Sequence, residues 1–281
     1  MRYFDLHCDT AGVCFKNKIL PDDPSLSVST AYTSFFEEWT QCYAVYIDEK
    51  CSYPKKLYSD TITDFKAKIS RFKKPNAILT LENALPVDSV EFVQILKNDG
   101  IRAVTLTWNG ENRIAGGAYS SAGLTAFGRK VIKSLNANHI AVDLSHLNRK
   151  SFFEAGECAE IIFASHSCCA KTHNHPRNLA DNQLKYIAER GGVIGVCFYP
   201  EFLGTKYPFE GVWRHLNHLL NIGLEKNIAI GSDFDGADMA GQLQGVRDIP
   251  KLYRYLFERG INKCILDDLF YNNADSFFEK F

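Results

Sequence analysis

The chain has 281 residues, 46% of them apolar and 23% charged, with 32 basic against 33 acidic side chains and a net charge of -1. That length is close to the roughly 250 residues of one eight-stranded barrel, and the apolar share is enough for a sizeable core. The charge balance leaves no electrostatic footprint for nucleic acid or an anionic membrane surface. No run approaches the roughly 18 consecutive apolar residues of a membrane span.

Met1-Arg2 leads directly into an extended segment, Tyr3–Asp9, which leaves no room for the apolar region of a signal peptide. With a period of two, Asp5, His7 and Asp9 share one face of that strand, and Leu6 and Cys8 the other. His7 and Asp9 thus offer an imidazole and a carboxylate to one point, a pairing that suits a divalent metal. A three-residue His-x-Asp is nevertheless common by chance. Residues 11–40 read as irregular, with Pro21 and Pro24. An apolar run at 42–47 follows, then an amphipathic helix over 57–73, a short run at 77–82 and a helix near 88–98. The run 101–107 precedes a Gly-rich loop at 109–123 and a helix at 124–138. After the run 139–146 and a helix at 149–158 comes the run 161–166. A helix at 181–190, a run at 192–198, a helix at 210–225, a run at 228–233 and two helical stretches complete the chain.

Eight short apolar runs, most followed by an amphipathic pattern, predict a single (β/α)8 TIM barrel spanning residues 1–281. A doubly wound open sheet is the alternative, but the first turn lacks a Gly-rich phosphate fingerprint. In a parallel barrel the strand ends near 9, 47, 82, 107, 145, 166, 198 and 233 lie on one rim, where active sites are built. His7, Asp9, Glu82, His146, His166 and Asp233 all fall there. Each has a bland reading by itself: a hydrogen-bonded loop histidine, a helix cap at Glu82, an Asx turn at Asp233. Three imidazoles and three carboxylates converging on one rim exceed the needs of a single catalytic zinc. They suit two metals bridged by a carboxylate, and hence metal-assisted hydrolysis. The nine cysteines contain no Cys-x-x-Cys pair, so free thiols in a reducing cytoplasm are expected.

The ordered motifs Phe4-Asp-Leu-His-Cys-Asp-Thr10, Leu81-Glu-Asn-Ala-Leu85, Val142-Asp-Leu-Ser-His146, Ala164-Ser-His-Ser167, His175-Pro-Arg-Asn178 and Gly231-Ser-Asp-Phe-Asp-Gly236 resemble those of the membrane (renal) dipeptidase family, peptidase family M19. The resemblance runs from residue 3 to about 278. It implies two Zn2+ per chain, one held by His7 and Asp9, the other by His146 and His166, with Glu82 bridging them. Asp233 then stands beside the first metal as the acid that takes the proton of the bridging water, leaving a metal-bridging hydroxide to attack, and passes that proton to the leaving amine. Arg177 matches the arginine that reads the substrate's terminal carboxylate, and Tyr199 matches a pocket position. The implied substrate is a dipeptide, L,L or L,D, and the implied assembly is a homodimer. The lack of an anchor signal resembles soluble bacterial-type members.

One position departs from the family pattern. Trp108 follows Leu106-Thr107 where the mammalian enzyme has a histidine thought to stabilise the oxyanion. Trp108 carries an N–H donor but no imidazole proton. It either lines the pocket wall or donates there, with Asn109 as a substitute donor. His173 and His175 read as loop histidines near Arg177, Cys168-Cys169 as packing, Asp5 as a structural hydrogen bonder and Asp235 as a turn residue. Two rivals remain. Asp-Leu-His-x-Asp-Thr approaches the Asp-Leu-His-x-His-Thr of phosphoesterase barrels, which favours a phosphoesterase or another amidohydrolase, although Asp9 and Arg177 weigh against it. Trp108 alone favours a non-catalytic metal-binding descendant.

Overall fold

The computed structural model describes residues 1–281. Its eight parallel strands are β1 (Tyr3–Cys8), β2 (Trp39–Tyr46), β3 (Asn76–Glu82), β4 (Ile101–Thr105), β5 (Ala141–Asp143), β6 (Ile162–Phe163), β7 (Ile194–Val196) and β8 (Ile228–Ile230). They are hydrogen-bonded in the order β6-β5-β4-β3-β2-β1-β8-β7. The two ends of that order meet just past β6. The Ala164 N–H donates to the Val193 carbonyl at 3.0 Å, and the Gly195 N–H to the Ala164 carbonyl at 2.8 Å. The sheet is thus the expected (β/α)8 TIM barrel, and the open-sheet alternative is excluded.

Strands covered on both faces read as near-continuous apolar runs. β1 is buried at every position, and β2 at all but Tyr46. The helices between strands show the other periodicity. α2 (Pro54–Ile69), started by a proline at its first position, buries Tyr58, Thr61, Ile62, Phe65 and Ile69 along one face. α3 (Phe92–Asp99), α4 (Ala126–Ala137), α5 (Arg149–Cys158), α6 (Asp181–Glu189), α7 (Pro200–Leu203) and α8 (Pro208–Asn221) follow their strands in turn. Together with the strands' outward faces they form the larger apolar cluster. A second cluster fills the barrel's lower end: Phe4 and Leu6 from β1, then Cys42, Ile78, Ala103, Ala141, Phe163 and Ala229 from other strands. The C-terminal helices α9 (Ile249–Glu258), α10 (Lys263–Asp267) and α11 (Asn273–Phe278) complete the chain, and Ala274, Phe277 and Phe278 of α11 close that end.

Three expectations are corrected. Residues 11–40 are not irregular throughout: α1 (Thr10–Asn17) follows β1 at once, and Thr30–Phe35 forms a 3-10 turn. β5 and β6 are shorter than the runs 139–146 and 161–166, because the residues after Asp143 and Phe163 leave the ladder to enter the rim. Asp5 does not share a face with His7. The register of β1 on β2 shifts between Asp5 and Cys8, and the Asp5 carboxylate accepts from the Tyr3 hydroxyl, the His7 N–H and both the N–H and hydroxyl of Ser232. A bulge breaks strict alternation in this way. It leaves Asp5 as a clamp between the ends of β1 and β8, consistent with the structural role expected of it.

Candidate active site

Glu82 ends β3 at the centre of the upper rim, buried, with its two carboxylate oxygens turned to different neighbours. Oε1 lies 2.8 Å from His146 Nε2 and 3.8 Å from His166 Nε2, whereas Oε2 lies 3.4 Å from His7 Nε2. Asp9 Oδ2 approaches His7 Nε2 to 3.4 Å, and Asp233 Oδ1 to 3.9 Å. Two donor sets result, Glu82–His146–His166 and His7–Asp9–Glu82, each with its ligand atoms within 4.8 Å of one another and with Glu82 in common. His7, His166 and Asp233 form a third such set. The structure brings together all six residues singled out at the strand ends.

The backbone is bent to make this possible. Asn83, His146 and Asp233 have φ of 65°, 69° and 64°, a left-handed conformation that Asn, Asp and His tolerate better than most side chains. Non-glycine residues held there cost of order 1–3 kcal/mol each and cluster at functional sites. Close approach also dictates two glycines. A Cβ on Gly195 or Gly231 would strike the Ser165 carbonyl, so both positions allow β6 to run close to β7 and β8 just before His166.

The outer hydrogen bonds settle which ring nitrogens are free. The Ser165 hydroxyl donates to Asp143 Oδ2 at 2.5 Å, so it accepts from His166 Nδ1–H at 2.7 Å. Asn109 Oδ1 accepts from His146 Nδ1–H at 3.0 Å. Both rings therefore present unprotonated Nε2 lone pairs, which face each other at 2.8 Å. His7 Nε2 and Asp9 Oδ1 are buried without a hydrogen-bond partner. Lone pairs opposed to lone pairs and carboxylates opposed to carboxylates are unfavourable unless a cation sits among them, and imidazole plus carboxylate donors suit zinc or a similar divalent ion.

Proton affinities carry the same message. Burial, and then the Asp9 charge, pushes the Glu82 carboxyl up to about 8. Asp233 is pushed up to about 7, by burial first and with Asp9 adding to it against the opposing pull of His7. His7 is raised well above the usual imidazole range although burial opposes it, because the Glu82 and Asp9 carboxylates hold its proton. Burial and positive neighbours hold His146 and His166 well below that range.

A cavity of about 940 Å³ opens over this cluster. Arg177, Trp108, Asn109 and Tyr199 all line it, together with His175 but not His173. Arg177 is buried, its Nε and Nη2 have no partner, and its guanidinium lies 5.1 Å over the Phe202 ring. Trp108 packs edge-on to Tyr46 at 5.5 Å and stands 6.2 Å from the His146 ring. Of the two readings of Trp108, the wall of the pocket matches these contacts. Asn109 spends its oxygen on His146. Asp235 ties loops together, accepting from the Thr10 hydroxyl and the backbone of Ser27 and Val28. Cys168 donates to the Cys197 carbonyl, and Cys197 Sγ lies 3.8 Å from Asp233 Oδ2. Sequence reasoning missed Ser165 and Asp143, whose signal was a polar pair interrupting apolar runs, and the α1 residues that line the cavity.

Residues 37–279 match the profile of a family described as membrane dipeptidase, peptidase family M19. An uncharacterised protein of Klebsiella pneumoniae is 35% identical over 189 residues, 62% of this chain and 70% of its own length. The dipeptidase verJ of Clonostachys rogersoniana is 36% identical over 172 residues, 58% of this chain and 44% of its own. The chain thus spans most of the bacterial relative but less than half of that fungal one. A metallo-peptidase from Rhodobacter sphaeroides, solved with a phosphinate mimic of the dipeptide L-Ala-D-Ala, superposes with a TM-score of 0.87 at 20% identity, covering 99% of both chains. The metallo-peptidase dipeptidase AC of family M19 gives 0.85 at 21%, covering 99% of this chain and 98% of that one. At such identities the two structures share the fold.

Proposed function

The chain belongs to the membrane dipeptidase family, peptidase family M19, and on that premise we propose that it is a zinc-dependent dipeptidase acting on L,L- and L,D-dipeptides. The observation that carries the reading is the division of Glu82 between two donor sets, each completed by residues from other strand ends. His7 and Asp9 would hold one ion, His146 and His166 the other, with Glu82 shared and Asp233 beside the first. Two divalent ions bound there supply Lewis-acid polarisation of the scissile carbonyl and a water activated at neutral pH.

The chain's own residues do the rest. Arg177 offers a planar fork with two unpartnered N–H groups to the substrate's terminal carboxylate, in a buried setting where such a pair is strong. Asp233, whose Oδ1 stands 3.9 Å from His7 Nε2 at the edge of the cluster, can hold a proton and release it to the departing amine nitrogen. Asn109 and Ser165 fix the rings of His146 and His166 through Nδ1, so that Nε2 stays aimed at the centre. Tyr199, on the same wall as Arg177, helps to enclose the substrate. No helix is long and apolar enough to cross a membrane. The proposed cytoplasmic setting rests on the nine free cysteines, which suit a reducing compartment. The homodimer remains part of the proposal on family resemblance.

The test joins metal content to activity. Purified chain should carry about two zinc ions and hydrolyse L-Ala-L-Ala and L-Ala-D-Ala, while a phosphate monoester assayed in parallel stays intact. Glu82→Ala should lose most of the zinc and reduce kcat/KM by at least about 1,000-fold. Unchanged hydrolysis in that variant would remove Glu82 from the centre, and turnover of the monoester instead of the dipeptides would favour the phosphoesterase rival.

A further inference from the structure

We infer that the cavity wall formed by α1, β2, α2 and the loop after β4 receives the N-terminal side chain of the substrate, and that dipeptides with a large apolar or aromatic N-terminal residue are preferred. This rests on the dipeptidase reading above and adds the substrate class.

The argument begins with the strand order. In an eight-membered ring β2 stands opposite β6, and β3 opposite β7. Arg177 follows β6, Tyr46 ends β2, and the cluster around Glu82 lies between them. A dipeptide that gives its carboxylate to Arg177 and its scissile carbonyl to the cluster has one residue left, and that residue must extend across the barrel axis. What it meets is apolar: Val13, Phe15, Tyr46, Leu57, Trp108 and Tyr119.

The first five of these are neither fully buried nor fully exposed, so each keeps apolar surface turned to the open volume. Tyr119, 63% exposed, stands at the mouth. The edge-on contact of Tyr46 with Trp108 and the nearby His146 ring hold the indole in place, which gives the pocket a rigid aromatic side. The charged groups on this arc, Lys16 and Asp48, are exposed at its outer edge. The volume points the same way. The whole cleft, metal cluster and Arg177 side included, holds about 940 Å³, which leaves room for a side chain larger than that of alanine.

The experiment is a series of X-Ala dipeptides, with X as Gly, Ala, Leu, Phe and Trp, assayed on the zinc-loaded chain. Transfer of a large side chain into such a pocket should raise kcat/KM for Phe-Ala over Gly-Ala by roughly 10–100-fold. Leu57→Trp, which fills the arc, should cut that ratio about tenfold. Because the ratio is read within each protein, lost metal or partial unfolding drops out of it. Calorimetric titration with reduced-amide analogues of Phe-Ala and Gly-Ala, which resist hydrolysis, should give the same preference in Kd. Hydrolysis of all five substrates with equal kcat/KM, or a preference for glycine, overturns this inference alone. Hydrolysis of none overturns the dipeptidase reading, and the inference falls with it.

Discussion

Glu82 shows how a residue suited to a metal centre burdens the chain that carries it. Its carboxyl is buried and pushed up to about 8, chiefly by burial and then by Asp9, whereas an unfolded glutamate titrates near 4.3. The folded, metal-free protein therefore holds this proton more tightly than the unfolded chain. Stability from that source is complete below about pH 4 and is lost as pH rises towards about 8. His146 and His166, held below the usual imidazole range by burial, act with the opposite sign, because unfolding at acid pH lets them take up protons. A comparison within one background separates the two effects. In chelator-treated protein, Glu82→Gln should melt at nearly the same temperature as wild type at pH 5 and several degrees higher at pH 8, reflecting about 2–4 kcal/mol. Added zinc should reverse the order at pH 8, since only wild type has the carboxylate proposed to be shared between the two ions. A gap that does not grow between pH 5 and pH 8 would mean that the carboxylate is already compensated without metal.

At the scale of elements, glycine positions separate packing from propensity. Gly12 lies inside α1 with open space where a Cβ would go, whereas a Cβ on Gly231 would run into the Ser165 carbonyl. Gly12→Ala should stabilise by about 0.5–1 kcal/mol and raise the melting temperature by one to a few degrees. Gly231→Ala should destabilise by roughly 1–3 kcal/mol and lower zinc content too, because Ser165 orients His166. Equal effects of the two in differential scanning calorimetry would contradict this account. These elements also explain what sequence could and could not convey. The strands were legible because burial on both faces leaves continuous apolar runs, and the metal-site candidates because each stands at the end of such a run. α1 was not: Asp9 occupies its N-cap position, but the carboxylate makes no capping bond and is turned to the cluster instead, and Gly12 weakens the helical signal. Strict alternation failed at Asp5 because a register shift leaves no trace in residue types. Ser165 and Asp143 went unassigned, and Asn109 was read as a donor to substrate rather than as the partner of His146, because hydrogen bonds between separate strand ends have no sequence period.

At the scale of the whole molecule, stability and chemistry occupy opposite ends of the barrel. The upper rim carries strained backbone, opposed lone pairs and raised carboxyls. The lower end has no cluster of metal-ligating side chains and is closed by the C-terminal segment, which the sequence announced only as two helical stretches. Tyr271, Ala274, Phe277 and Phe278 cover Phe4 and Phe163 from below. Asn273 donates to the carbonyls of Glu225 and Ile228, and Arg102 of β4 donates to those of Phe278 and Phe281. The Phe277 ring lies 5.2 Å from Phe163 and 5.3 Å from both Phe278 and Phe281, and the residue is only 2% exposed. Removing that ring leaves a cavity at the barrel's floor, so Phe277→Ala should cost about 3–5 kcal/mol and lower the melting temperature by roughly 10 °C. Its ring partners Phe163, Phe278 and Phe281 belong to the cluster at the lower end, whereas His7, Glu82, His146, His166 and Asp233 stand at the upper rim. Well below the transition, the variant should therefore keep wild-type zinc stoichiometry and kcat/KM within about twofold, because distant, unshared sites contribute additively. Melting by calorimetry and zinc content on the same sample decide the matter. A stable variant would show that the segment only covers the floor without bracing it, and a folded variant depleted of zinc would show that the two ends of the barrel are coupled.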